Sequence, residues 1–180
     1  MQCTAALSIK VPFVPLIVNL YKTLETRCIA MLRPYEGCWM ALHVSRADKK
    51  NKDMGSETVQ DIARLRGLSE RALQLSDDVH RGDVVALMFL GTTKSIAGFD
   101  DAEYIHEYRQ TTFVAPEKLK KYHFVTEIQK IAKLLRPVRP VRGYVWVFPV
   151  QIPDSHIPGL VNRADLCRYH EKHLARKGAH

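Results

Sequence analysis

The sequence predicts an α+β fold, in which a small β-barrel of about five to six strands carries peripheral helices and a C-terminal helix. Two observations support this class. About five strand segments are separated by irregular helical insertions. The chain has 180 residues, of which 46% are hydrophobic and 26% charged, and these values are typical of a single globular domain. A disordered or fibrous chain is therefore not expected.

Strands are predicted where short segments are strongly apolar, or alternate and are rich in β-branched residues. These segments are residues 4–9, 22–27, 38–44, 84–90 and 144–150. Residues 118–135 fit both a helix and a strand, and their periodicity alone favours a helix. The barrel prediction depends on how this segment folds.

Helices are predicted at residues 13–20, 58–66, 69–75 and 163–177. Pro12 suits the start of the first helix, because the N–H that proline lacks would have no partner there. The second helix is expected to begin near Ser56, after a polar loop at 48–55, and to end at Gly67. The last helix is basic and rich in histidine.

The net charge of +8 is unevenly distributed along the chain. Residues 1–90 carry a net charge of +2, whereas residues 91–180 carry +6. Between residues 118 and 142 there are eight basic side chains and one acidic side chain, Glu127. Such a cluster is typical of a surface that binds a polyanion. Arg136, Arg139 and Arg142 alternate with prolines and precede aromatic residues, which favours nucleic acid over a plain acidic partner.

The cysteines and the N-terminal region indicate where the protein is expected to reside. The four cysteines form no CxxC pair, which excludes a zinc ribbon and argues against a disulfide scaffold. The N-terminal region lacks the charge pattern of a signal or transit peptide, and its apolar stretch is too short to span a membrane. We expect a cytoplasmic or nuclear protein that does not contact membranes, although an uncleaved organellar address stays open.

No cofactor and no metal site are predicted. His170 and His173 are spaced as i and i+3 on the predicted terminal helix, but no third ligand accompanies them, so we interpret them as surface residues. Trp39 and Trp146 are expected in the core, since each buries a large apolar area. Tyr35 and Tyr144 lie near basic residues in the sequence and are candidates for stacking on bases.

The strongest motif combines basic and acidic residues near the N-terminus. Leu7-Ser8-Ile9-Lys10 is followed by Lys22, Glu25 and Arg27. Glu25 and Arg27 share one face of a strand, whereas Lys22 faces the other side unless the chain bends. The motif indicates either an exposed strand with ordinary ion pairs or a cleft that holds an anion.

These residues resemble the ASCH family, which is related to the PUA fold. The family pattern is Gly-x-Lys-x-x-Glu-x-Arg after a Leu-Ser-Ile-Lys-x-Pro segment, and this sequence departs from it at Leu20, where the family has glycine. The segments around His43, at 82–91 and at 135–147 also resemble family strands. The chain is most similar to the endothelial-overexpressed, lipopolysaccharide-associated factor branch. The resemblance implies an ASCH domain at residues 1–161, a basic helical extension at 162–180, and a strand rather than a helix at 122–128.

The resemblance implies an RNA-binding module that acts within or on a ribonucleoprotein, with ribosomal RNA among the candidate partners. Protein partners would dock through the C-terminal helix. Two alternatives stay open: an amidohydrolase acting on acylated cytidine, and a structural subunit with a vestigial cleft. In the enzyme alternative, which we rank below binding, Lys22 and Glu25 would be catalytic, although Glu25 stands where those enzymes have a nucleophilic threonine. The predicted binding residues are Lys10, Lys22, Glu25, Arg27, His43, Ser45, Arg46, Arg136, Arg139, Arg142 and Tyr144.

Overall fold

The computed structural model describes residues 1–46, 59–100, 102–103, 107–115 and 121–169, and it has the predicted α+β fold. A six-stranded mixed sheet forms the centre. Its strands are β1 (Gln2–Ile9), β2 (Leu24–Arg27), β3 (Trp39–Val44), β4 (Val84–Ser95), β5 (Phe124–Val138) and β6 (Phe148–Ile152). Short α-helices flank it: α1 (Phe13–Val18), α2 (Val59–Leu65) and α3 (Arg109–Thr112). The predicted loop at 48–55 and the predicted helix start near Ser56 lie outside the described residues.

The sheet is open rather than closed into the predicted barrel. Its order is β2-β5-β4-β3-β1-β6, and β1 and β3 form the parallel pair while the other neighbours are antiparallel. Within the described residues, the outer strands β2 and β6 do not pair with each other. The sequence indicates the number of strands but not closure, because closure depends on the tilt and stagger of the strands.

Most of the segment 118–135, which fits both a helix and a strand in the sequence, forms strand β5. It runs for 15 residues and pairs with both β2 and β4. Register shifts interrupt its pairing with β4, and the buried positions Val125, Ile128 and Ala132 are consequently three and four residues apart. Because this spacing is also that of a helix, β-bulges explain why the periodicity alone favoured the wrong element.

Helix α1 ends in a left-handed turn at Leu20, the position where the resemblance places glycine. Leu20 has a φ of 57°, and the N–H groups of Tyr21 and Lys22 both donate to the carbonyl of Leu16. This backbone conformation is unfavourable for a residue with a side chain, and glycine adopts it without steric cost. The turn redirects the chain from α1 towards β2.

We expect Leu20→Gly to raise the free energy of unfolding by about 0.5–1 kcal/mol, because relief of the left-handed strain outweighs the loss of a partly exposed side chain. The Leu20 side chain is 43% exposed. Urea unfolding would measure the change. Leu160→Gly is the control, since Leu160 is also exposed but has no positive φ and should gain nothing. A lower free energy of unfolding in Leu20→Gly would show that the left-handed backbone at Leu20 does not destabilise the protein.

The C-terminal segment does not form the predicted helix as far as residue 169. A single 3₁₀ turn covers Arg163–Asp165, after which Leu166 forms a parallel bridge with Trp39. Cys167 is buried, and it forms a disulfide with Cys38, although the cysteine pattern in the sequence argued against a disulfide scaffold. The two cysteines are 129 residues apart, so their spacing gave no signal. The core thus extends beyond residue 161.

Two of the aromatic predictions fail. Trp39 is buried as expected, but Trp146 is 41% exposed because it lies before β6 rather than within it. Tyr35, a predicted stacking residue, is fully buried in the main core beside Leu32 and Met40. Its ring is thus not available to a base. The predicted surface histidines, His170 and His173, lie outside the described residues.

Candidate functional site

Nine of the eleven predicted binding residues line one cavity of about 740 Å³. They are Lys10, Lys22, Glu25, Arg27, His43, Ser45, Arg46, Arg142 and Tyr144. Residues of β1 and β3 line the cavity together with residues of β2. Strand β2 is at one edge of the sheet, whereas β1 and β3 lie near the opposite edge. The sheet therefore curls around the cavity, although its outer strands β2 and β6 do not pair with each other in the part of the chain that the structure describes.

The parallel pairing of β1 with β3 explains why distant residues meet here. Parallel strands bring their C-terminal ends to the same edge of a sheet. Ser8 pairs with His43 in the register, and the N–H of Ser45 donates to the carbonyl of Ile9. Lys10 and Arg46, which follow the two strands, consequently lie at the same end of the sheet.

Glu25 joins the two cations of the N-terminal motif. One of its carboxylate oxygens lies 2.9 Å from a guanidinium nitrogen of Arg27, and the other lies 3.4 Å from Nζ of Lys22. Lys22 reaches the same face because the chain bends before β2 begins at Leu24. The structure therefore places both cations and the acid in one cluster at the cavity.

Lys22 is buried and fully engaged by protein groups. Its ammonium donates to the carbonyls of Leu24 and Thr112 as well as to Glu25, and this uses the three donors of an ammonium group. Burial lowers the pKa of Lys22, and the neighbouring carboxylate of Glu25 opposes this shift. Lys22 acts on the cavity mainly by holding Glu25 and the two backbone segments in place.

A second cluster, Ser8 with His43, was not predicted. The Ser8 hydroxyl lies 2.8 Å from Nδ1 of His43, and Nε2 of His43 lies 3.3 Å from the carbonyl of Val141. In the sequence, Ser45 and Glu25 are the candidate partners of His43 in a nucleophile–base set, provided that the fold brings the three together. Only the register of β1 against β3 reveals Ser8 as the partner, and neither strand's own sequence contains that information.

The hydrogen bonds of His43 define the tautomer of its neutral ring. A carbonyl only accepts, so Nε2 carries the hydrogen that points to Val141. Burial lowers the pKa of His43, which favours the neutral ring, and the bond to Val141 opposes this only in part. In the neutral ring Nδ1 is therefore an acceptor, and the Ser8 hydroxyl donates to it.

The charge around the cavity is strongly positive. Lys10, Arg46 and Arg142 are exposed there, while Arg27 is 24% exposed. Glu25 is the one carboxylate among the described lining residues, and it is already paired. Nε of Arg27 is buried and has no hydrogen-bond partner within the part of the chain that is described. A bound anion would satisfy both the net charge and this donor.

Aromatic rings accompany the cations. Tyr144 is 53% exposed, and the guanidinium of Arg142 lies 5.7 Å from the centre of its ring. Tyr122 is half-buried and lines the same cavity, as does Phe13. Such rings offer flat surfaces on which a base can stack.

The other two predicted residues lie outside the cavity. Arg136 is exposed near the end of β5, and Arg139 forms an ion pair of 3.1 Å with the buried Asp83. Among the described residues, no group of three or more His, Cys, Asp or Glu side chains is arranged to hold a metal ion. None of the helices described is both long and apolar enough to cross a membrane.

No protein-family model matches the sequence. The structure is similar to the crystal structure of ASCH from Zymomonas mobilis, with 15% identity and a TM-score of 0.40 over 76% of this chain and 71% of that one. It is also similar to a tyrosine-to-phenylalanine mutant of ZmASCH from the same organism, with 14% identity and a TM-score of 0.42 over 84% of this chain and 91% of that one.

Proposed function

We propose that the protein is an RNA-binding module whose cavity holds a single-stranded or modified nucleotide, and that it acts within or on a ribonucleoprotein. One observation carries the proposal: the cavity gathers five cations around a single carboxylate that two of them already neutralise. The remaining positive charge suits phosphate groups. We further propose that the protein is an ASCH protein of the endothelial-overexpressed, lipopolysaccharide-associated factor branch, on the motifs that include Ser8, Lys22 and Arg27.

The size and the aromatic lining of the cavity support a nucleotide over a bare anion. A volume of about 740 Å³ lies in the range of small-molecule sites, which is about 300–1,000 Å³. Tyr144 and Arg142 stand together at the cavity, where a base can stack on the ring or on the guanidinium plane. Arg136 and Arg139 would extend the cationic surface for the adjoining phosphates.

The double variant Arg46→Glu/Arg142→Glu is expected to weaken the binding of single-stranded RNA roughly tenfold or more at low salt. Both side chains are exposed at the cavity, so the fold should tolerate the changes. Fluorescence anisotropy with a labelled oligonucleotide would measure the dissociation constant. The slope of log affinity against log salt should fall in magnitude by about 0.7 for each phosphate contact that is lost.

The matched control is Lys130→Glu/Lys133→Glu, which changes the net charge by the same amount. Both lysines are exposed on β5 and neither lines the cavity. If the two double variants lose affinity equally, RNA binding depends on net charge alone and the cavity is not the site. Affinity in the unsubstituted protein that does not change with salt would contradict RNA binding altogether.

The alternative function, removal of an acyl group from acylated cytidine, receives weaker support from the cavity. It would use Lys22 as a base, but all three donors of its ammonium are engaged by Leu24, Thr112 and Glu25. Glu25 also occupies the position at which the resemblance places a nucleophilic threonine. A vestigial cleft with a docking tail would depend on residues 163–180, of which 170–180 lie outside the described part of the chain.

A further inference from the structure

We propose that Ser8 and His43 form a nucleophile–base pair, and that the Ser8 hydroxyl takes an acyl group from a carboxylic ester of a phosphate-bearing compound in the cavity. The substrate class rests on the proposed nucleotide function, whereas the pair itself rests on geometry alone. The pair differs from the Lys22–Glu25–Arg27 cluster in its residues, its strands and its chemistry.

The geometry of the pair is that of an activated hydroxyl. Ser8 is a partner of His43 in the parallel register, so their side chains lie on the same face of the sheet. Their side-chain atoms are 2.8 Å apart, which is within the range for proton transfer from a hydroxyl to an imidazole nitrogen. Ser8 is only partly buried and lines the cavity, so a bound molecule can reach its oxygen.

A third group orients the imidazole. The carbonyl of Val141 accepts from Nε2, and this leaves the lone pair of Nδ1 directed at Ser8. The edge of the His43 ring also contacts Phe148, with ring centres 5.4 Å apart. A nucleophile, a base and a group that orients the base are the three parts that activate a serine.

Residue 143 passes so close to Ser8 and His43 that there is no room for a side chain, which explains the glycine at this position. A side-chain carbon at this position would lie 2.2 Å from Cε1 of His43 and 2.6 Å from Oγ of Ser8. Since Gly143 has no positive φ, the requirement is for space and not for backbone conformation. The backbone at Gly143 therefore passes directly against the pair and fixes one wall around it.

The charges that face His43 suit a neutral base. Arg46 lowers its pKa and Asp83 raises it, and Asp83 is itself paired with Arg139 at 3.1 Å. The exposed cations Arg46 and Arg142 line the same cavity as Ser8, and their positive charge would favour an oxyanion that forms there.

The chemical step balances without a further reagent. Oγ of Ser8 attacks the ester carbonyl as its proton moves to Nδ1 of His43, and a tetrahedral oxyanion forms. The bond from the acyl carbon to the alcohol oxygen then breaks, and the alcohol takes the proton from His43. Water, activated in the same way, releases the carboxylic acid from Ser8 and restores the hydroxyl.

An alkyl fluorophosphonate tests the pair, because Oγ of an activated serine displaces fluoride and the product is visible by intact-protein mass spectrometry. We expect one label on the folded protein, none on Ser8→Ala, and labelling of His43→Gln slowed roughly a hundredfold. Gly143→Ala should slow labelling as well. Ser95→Ala is the control, since Ser95 is exposed on β4 away from the cavity and its substitution should change nothing.

The substrate class is tested with the O-acetyl ester of adenosine 5′-monophosphate against the same ester of adenosine. We expect hydrolysis of the phosphate-bearing ester with a kcat/KM at least tenfold higher, and loss of that activity in Ser8→Ala. An absent label, or an equal label on Ser8→Ala with its melting temperature unchanged, overturns the nucleophile. Equal turnover of the two esters overturns the substrate class. Neither result depends on RNA affinity, so failure here is distinguishable from failure of the proposed function.

Discussion

Replacing Lys22 by methionine is expected to lower the free energy of unfolding by about 3–5 kcal/mol, which is the usual cost of breaking a buried ion pair by removing one partner. The Lys22 side chain is 1% exposed, and Glu25 is 9% exposed. Methionine retains most of the length of the chain but none of its three donors. The carbonyls of Leu24 and Thr112 would then lose the ammonium that each contacts.

Urea unfolding would measure the loss as a shift of the midpoint at constant slope. Lys133→Met is the control, because Lys133 is exposed on β5 and its substitution should change stability by less than about 0.5 kcal/mol. The double variant Lys22→Met/Glu25→Gln should be more stable than the sum of the single changes predicts, since it removes both charges of one pair. A Lys22→Met protein as stable as the control would show that the pair contributes nothing.

Substitution of Lys22 does not isolate RNA binding from folding. From the sequence alone, Lys22→Ala is predicted to weaken RNA binding by roughly 1 kcal/mol or more, as a lost charge-assisted contact. In the structure the same change would also disturb α3 through Thr112 and β2 through Leu24. Affinity measured in such a variant therefore mixes folding with binding. Arg46 and Arg142, which are exposed at the cavity, separate the two effects.

The residues on single strands were the most predictable part of the site. Alternation alone places Glu25 and Arg27 on one face, and they form an ion pair of 2.9 Å. Lys22 required the bend that follows Leu20, and strand alternation alone does not predict that bend. The sequence motifs identified nine residues that line one cavity, but they did not predict which of these residues contact one another.

The unpredictable part depended on which strands are neighbours. Ser8 and His43 are 35 residues apart, and they meet only because β1 and β3 lie side by side in parallel register. Composition places Arg139 among the basic side chains of the predicted binding surface, but it does not reveal the ion pair that Arg139 forms with the buried Asp83. Tyr35 was judged by its basic neighbours in sequence, whereas burial in the core determines its role. Pairing of strands and burial are properties of the whole chain and not of a local pattern.

The second large effect concerns the disulfide between Cys38 and Cys167. Cys38 immediately precedes β3, and Cys167 is the residue whose N–H donates to the carbonyl of Trp39. The carbonyl of Cys167 in turn accepts from Ala5 and from the hydroxyl of Thr4. The bond therefore fixes the C-terminal segment against β1 and β3, and it closes a loop of 129 residues.

Reduction of this disulfide is expected to lower the free energy of unfolding by about 2–5 kcal/mol, because a cross-link over so long a loop restricts the unfolded chain. Urea unfolding with and without a reducing agent would measure the difference. Cys167→Ser should respond little to the reducing agent, whereas Cys3→Ser, at an exposed free cysteine, should respond as the unsubstituted protein does. In a reducing compartment the pair would stay open, and the hydrogen bonds to Thr4, Ala5 and Trp39 and the packing of Leu166 would still hold the segment. A midpoint that is equal with and without the reducing agent, in protein shown by mass spectrometry to be oxidised, would contradict a stabilising role for the bond.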